Sequence, residues 1–322
     1  MEENKKLNNE GNTATPYDDV YRTLLNDCAS LIIPVVNEVF QKQHGENEKV
    51  TVLNNEFYIT GQDGKQKERI TDSNFIIGKT CYHFECQSTS DGTIIVRVFE
   101  YGSQMAIRDS NIENNVLTVN FPNTAILYLR QTKNTPDYMN ICIKVPEASC
   151  TYRVPVMKVQ NYLLEEIFEK KLFFLIPFHI FAYEKNFPEY ETDEAKLVEL
   201  TNVYEQLVKR LNNCAEAGII SEYAKGTVIA MSKKVLEALT VKYSKVQKGV
   251  GKIMGGQILE YEAKDILRRG KVEALFMFLQ EIGTIPEKVK ERIVSEKDLQ
   301  VITGWIKLAA KSETIEEFVS KM

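Results

Sequence analysis

Two acids on neighbouring extended segments offer the first hint of chemistry: Asp72 within Arg69–Ile77 and Glu85 within Tyr82–Ser88. Gly78-Lys79 lies between the segments, and a two-residue loop with Gly first suits a type II′ hairpin turn. That turn sets Ile77 against Thr80, and the same register puts Asp72 opposite Glu85 and Ile70 opposite Gln87. Directly opposed residues share a face, so the two carboxylates sit side by side, with Gln87 pointing the same way. Facing carboxylates repel unless positive charge lies between them, and a divalent cation is the natural candidate. A solvated polar strand face is the plainer alternative. Phe84 and Cys86, which flank Glu85, argue for a buried strand instead.

The elements that must hold these groups follow from the surrounding pattern. Asp18 or Asp19 suits the cap of a helix with Val20, Leu24, Cys28 and Leu31 at helical spacing, and Pro34 opens a second short helix carrying Val35, Val36, Val39 and Phe40. Glu38 on that helix reads as a solvated acid. From Val50 to Ser88 the pattern is that of strands. Glu56–Thr60, the turn Gly61-Gln62-Asp63-Gly64, Arg69–Ile77 and Tyr82–Ser88 form a three-stranded meander. After Asp91-Gly92, Thr93–Asn111 reads as a helix on which Arg97, Tyr101, Gln104 and Arg108 recur as one polar stripe. Val96, Phe99, Met105 and Ile107 are left to pack on the sheet. Thr124–Arg130, Tyr138–Val145 and Arg153–Val159 are apolar enough for buried strands, and Asn161–Phe174 reads as a helix entering a Pro177 loop. The sum is an α/β fold with a mixed central sheet flanked by helices.

After Tyr190 only helical patterns remain: Ala195–Ala217, Ser221–Tyr243, Ile258–Arg269, Lys271–Glu281 and short helices to Met322. Gly251, Gly255 and Gly256 are expected to interrupt them. The expected organisation is therefore a polar, disordered arm over 1–16, an α/β domain over 17–190 and an all-helical C-terminal region over 191–322.

Composition excludes several classes. The 322 residues are 43% hydrophobic and 26% charged with a net charge of −5, so no global basic field announces nucleic acid and any such surface must be local. The stretch Lys233–Lys248 is the most basic. Six scattered cysteines without a CxxC, together with His44, His83 and His179, form no zinc constellation. No signal peptide or membrane span is expected. The most apolar segment, Leu172–Ala182, is too short and contains Pro177 and His179. A cytoplasmic location is the expectation, and assembly into a homo-oligomer is left open.

An acid on the second strand of a meander followed by Glu-x-Gln on the third resembles the PD-(D/E)XK nuclease core. The specific likeness is to the recombination-promoting nuclease and transposase-like family of that superfamily. It is carried by Asp19-Val20-Tyr21 in the first helix, Asp72, Phe84-Glu85-Cys86-Gln87, Arg97-x-x-x-Tyr101 and the segment Gly255–Lys264. The chain departs from the family where Thr71 and Ser73, both polar, flank Asp72. The resemblance implies a restriction-endonuclease-like core and a DNA endonuclease linked to recombination or mobile elements. Asp72 and Glu85 then bind Mg²⁺, with Mn²⁺ as a substitute, and the backbone carbonyl of Cys86 completes the set. Gln87 takes the place of the usual lysine, while Arg97, Tyr101 and Asp19 are supporting or phosphate-binding residues. An amide carries no charge and is no general base. The alternative is accordingly a catalytically weak relative that binds DNA or a protein through the same fold.

Overall fold

The computed structural model describes residues 15–53, 56–60, 66–70, 73–88, 92–296 and 298–322, with only the backbone course given for 56–60, 66–70 and 256–267. The hairpin at Gly78-Lys79 has the expected register, from Ile77↔Thr80 to Ser73↔Phe84. Gly78 sits at φ +61°, a conformation that favours glycine and suits the first turn position.

The strands are β1 (Val50–Val52), β2 (Glu56–Thr60), β3 (Gln66–Ile70), β4 (Ser73–Ile77), β5 (Thr80–Gln87), β6 (Asn111–Glu113), β7 (Val116–Thr118), β8 (Asn123–Tyr128), β9 (Tyr138–Val145) and β10 (Ala148–Lys158). The helices are α1 (Pro16–Asp27), α2 (Ile32–Phe40), α3 (Ile94–Arg108), α4 (Leu164–Glu169), α5 (Phe187–Thr192), α6 (Glu194–Glu216), α7 (Glu222–Leu239), α8 (Ser244–Ile282), α9 (Glu287–Ser295), α10 (Leu299–Ala309) and α11 (Ile315–Lys321).

Six strands form one mixed sheet in the order β1-β4-β5-β8-β10-β9. β1, β4 and β5 are mutually antiparallel neighbours, whereas β5–β8 and β8–β10 are parallel. A parallel pair requires a crossover, and α3 supplies it between β5 and β8. The chain is thus α/β with a mixed six-stranded sheet, followed by helices alone from residue 187 onward.

The meander differs in its members from the sequence expectation. Residues 71 and 72 of the expected strand Arg69–Ile77 lie outside the described residues; ahead of them β3 pairs with β2 in a separate two-stranded sheet in which Ile70 faces Glu56. The outer place beside β4 is taken by β1. Val50–Val52 was too short to register as a strand in a pattern reading, which needs several alternations. The hairpin β6–β7 was also missed. Asn114 and Asn115 both adopt positive φ there, +50° and +61°, the signature of a tight primed turn.

Helix ends shift for local reasons. Thr15, not Asp18 or Asp19, caps α1. Its hydroxyl accepts from the Asp18 backbone N–H at 3.4 Å, and its own N–H donates to the Asp18 carboxylate at 2.6 Å. The expected helix 161–174 shrinks to α4, because Lys171 turns into the left-handed region at φ +55° and the apolar run Phe173–Ala182 winds as a 3₁₀ helix. The glycines after Lys248 do not interrupt anything, since α8 runs unbroken for 39 residues. A helical glycine costs only about 0.5–1 kcal/mol, and no proline occurs in the stretch to impose a break. At Gly249 the missing side chain is used. A Cβ there would stand 3.2 Å from Thr201 and 3.4 Å from Leu197 of α6.

One continuous apolar cluster runs from Val20 through the sheet to Met254 in α8. A second, smaller one joins Leu275 and Leu279 of α8 to Ile293, Trp305 and Phe318. Among the described residues no single helix is long and apolar enough to cross a membrane.

Candidate functional site

Alternation along β5 separates two environments. Tyr82, Phe84 and Cys86 point into the main core with Phe75 and Ile77 of β4. His83, Glu85 and Gln87 point to the other face, where their β8 neighbours are Thr124, Ile126 and Tyr128. That face is covered by α3, whose Ile94 and Val98 pack on Ile126 and Tyr128. Glu85 is therefore a carboxylate only 3% exposed, beneath a helix.

Its partner is His83, which is fully buried. Nε2 of His83 lies 3.0 Å from Oε1 of Glu85. Nδ1 of the same ring is 3.5 Å from the Thr124 hydroxyl, which in turn donates to the carbonyl of Pro122 at 3.4 Å. The ring of Tyr101, on α3, meets His83 edge-on at 5.9 Å between centroids and 90° between planes. An ionised carboxylate only accepts, so the hydrogen of the His83–Glu85 bond belongs to Nε2.

The opposite face of the same strand is tied down from behind. Ser73 Oγ donates to the carbonyl of Phe84 at 3.1 Å and stands 3.3 Å from its N–H, while Tyr21 of α1 reaches the same hydroxyl at 3.1 Å. Ser73, a departure from the resembled pattern, is thus a buried stitch between β4 and β5. Just past Gln87, the carbonyl of Ser88 accepts from Nη1 of Arg130 at 2.9 Å. That guanidinium also forms a two-point pair with Glu184, at 2.6 and 2.7 Å.

The expected site residues are distributed as follows. Glu85 and Gln87 share a face, and Gln87 is half-buried. Tyr101 is buried against this cluster, and Arg97, one turn earlier on α3, is half-buried. Arg108, at the far end of the stripe, pairs instead with Asp109 at the surface. The apolar side of α3 is not the expected one. Ile94, Val98, Tyr101 and Met105 face inward, while Val96 and Ile107 are exposed. The polar stripe and the buried face overlap at Tyr101, a combination that a division into wet and dry faces does not anticipate. Cys86 turns its side chain into the main core, away from Glu85. Asp19 is not brought to this face. It lies on α1, which packs on the Phe84 side of the sheet, and it pairs with Lys234 of α7. Asp72 lies outside the described residues. Glu38 is not a free surface acid, for it binds Lys170 at 2.7 Å and accepts from Tyr162 at 3.3 Å.

Sequence reasoning passed over His83 as one of three isolated histidines. The signal was present, because residues two apart on a strand share a face. Thr124 became visible only with the β5–β8 register.

The donor set fits a hard cation in part. Among the described residues nothing donates a hydrogen bond to Oε2 of Glu85, and the Gln87 amide shares its face, so oxygen ligands are present for a cation that prefers them. Among the described residues no three His, Cys, Asp or Glu side chains converge as a metal-binding group. Comparison with family models, curated proteins and solved structures finds no match to this chain.

Proposed function

We propose that this chain is a Mg²⁺-dependent DNA endonuclease with a PD-(D/E)XK-type core, able to use Mn²⁺, in the recombination or mobile-element setting that the family resemblance implies. The observation that carries the reading is a buried carboxylate, Glu85, on the third strand of an antiparallel meander. From that strand a helical crossover leads to a parallel fourth strand, as the resembled core requires. Burying a carboxylate costs stability unless it is paired, and the described partner, His83, engages one of its two oxygens.

In this reading Glu85 and Asp72 hold the cation. A cation held there would supply an activated water and offset charge developing on the scissile phosphate. Gln87 orients a water or a phosphate oxygen through its amide but moves no proton. Arg97 offers a guanidinium for a phosphate oxygen, with Tyr101 beside it on the helix. A second reading, a DNA- or protein-binding relative with weak catalysis, is favoured by one feature: the amide of Gln87 stands where a charged side chain would help most.

The test is plasmid cleavage with Mg²⁺, Mn²⁺ or chelator, run on wild type and Glu85→Gln alongside thermal melts. Wild type should nick DNA only with metal, and the variant should be at least about 100-fold slower, the scale seen when a preorganised electrostatic group is removed. Metal should raise the wild-type melting temperature and leave that of the variant unmoved. An equal rise in both overturns Glu85 as a ligand. A rise in wild type without cleavage of any DNA supports the binding reading.

A further inference from the structure

His83 is fully buried, hydrogen-bonded to the one carboxylate of the candidate metal site that is described, and held on two further sides. Three contacts set its ring. Glu85 Oε1 takes Nε2, the Thr124 hydroxyl faces Nδ1, and the edge of Tyr101 closes the third side. A ring so confined has no rotameric freedom to follow the carboxylate, so the carboxylate must follow the ring. Oε1 is then committed to the imidazole, and among the described residues Oε2 is left to accept a cation.

We infer that His83 is a positioning residue. It locks the Glu85 carboxylate in one orientation and makes it a one-oxygen ligand for a hard divalent cation. The inference rests on the metal-site reading proposed above and adds a residue to it. The physical logic is that of outer-shell partners, which orient a ligand so that its orientation is not fixed anew at each binding event. Without a donor from His83, the buried carboxylate is free to turn both oxygens toward other partners, and the cation meets an unordered ligand.

Mn²⁺ binding by calorimetry on the full chain tests this. His83→Leu removes the donor at similar volume and should weaken Mn²⁺ binding by about 10- to 100-fold, the usual cost of losing an outer-shell partner. His83→Gln, whose terminal amide can still donate to Oε1, should bind within a few-fold of wild type. A merely structural histidine would not be rescued by that amide. If His83→Leu does not fold, His83→Asn takes its place. Its amide is too short to reach Oε1, and it should show the same loss. Wild-type affinity in the leucine or asparagine variant, or a 100-fold loss in the glutamine variant, overturns the assignment of His83 alone. Absence of Mn²⁺ binding by wild type, or undiminished binding by Glu85→Gln, overturns the metal-site reading and this inference with it.

Discussion

The two sides of the central sheet differ in how they are supported. On the Phe84 side α1, α2, α6, α7 and the first part of α8 share one continuous apolar cluster with the strands. On the Glu85 side α3 is the principal cover, and the apolar cluster is small: Ile94, Val98, Ile126, Tyr128, Ile141 and Val154. The buried polar group of His83, Glu85 and Thr124 lies on that thinner side. The difference separates two tasks. The thick side carries most of the hydrophobic stabilisation, and the thin side holds the buried polar groups beneath α3.

Matched truncations give the largest test of that contrast. Phe84 packs against Phe40 at 5.8 Å and Phe75 at 5.9 Å, and Phe84→Ala should cost about 3–5 kcal/mol in chemical denaturation. Met105→Ala beneath α3 should cost about 2 kcal/mol, the low end for such changes, because a lone helix can settle into the gap. Equal costs for the two variants would erase the distinction.

A smaller effect comes from acid, and it should act through the thick side. Burial pushes the His179 imidazole down to about 4. Its ring lies against Tyr183 and Tyr204, and among the described residues its Nδ1 and the Tyr204 hydroxyl are buried without hydrogen-bond partners. The histidine is neutral when folded and titrates near 6.5 when unfolded. The stability it contributes is complete above about pH 6.5 and is lost as pH falls toward about 4, a span worth about 3 kcal/mol. His179→Phe should flatten the stability profile between pH 7 and 4.5 by up to that amount. An unchanged slope would mean that His179 is not held neutral.

The smallest effect separates stability from metal binding. Tyr21→Phe removes the hydroxyl contact to Ser73 and should cost about 1 kcal/mol, the net value of one hydrogen bond. Mn²⁺ affinity should stay unchanged, because Tyr21 acts from the core side of the strand. A fall in affinity would show that the two sides are coupled through Ser73.

What was legible in the sequence tracks how local the cause is. The Gly78-Lys79 turn fixed the β4–β5 register because two residues decide it. The strand β8 and the helix α3 were legible from apolar runs and helical spacing, while the parallel pairing of β8 with β5 was not. The inward face of α3 was not, since Tyr101 is both polar and buried and meets a histidine on another element, His83. The unbroken α8 was misread because glycine weakens a helix in isolation, while its packing against α6 and α7 lies far away in sequence. Of the candidate site, Glu85 and Gln87 were legible from strand alternation. His83 required attention to the same alternation one step earlier, and Thr124 required a partner strand.

The continuous helix α8 has a consequence for how the two apolar clusters are joined. Among the described residues, Val246, Val250 and Met254 near its start belong to the large core, and Leu275 and Leu279 near its end to the small one. At about 1.5 Å per residue, the roughly 20 intervening positions span about 30 Å. Each end of α8 is therefore held by a cluster of its own, and tertiary packing at the two ends supplies the support that helical propensity alone does not.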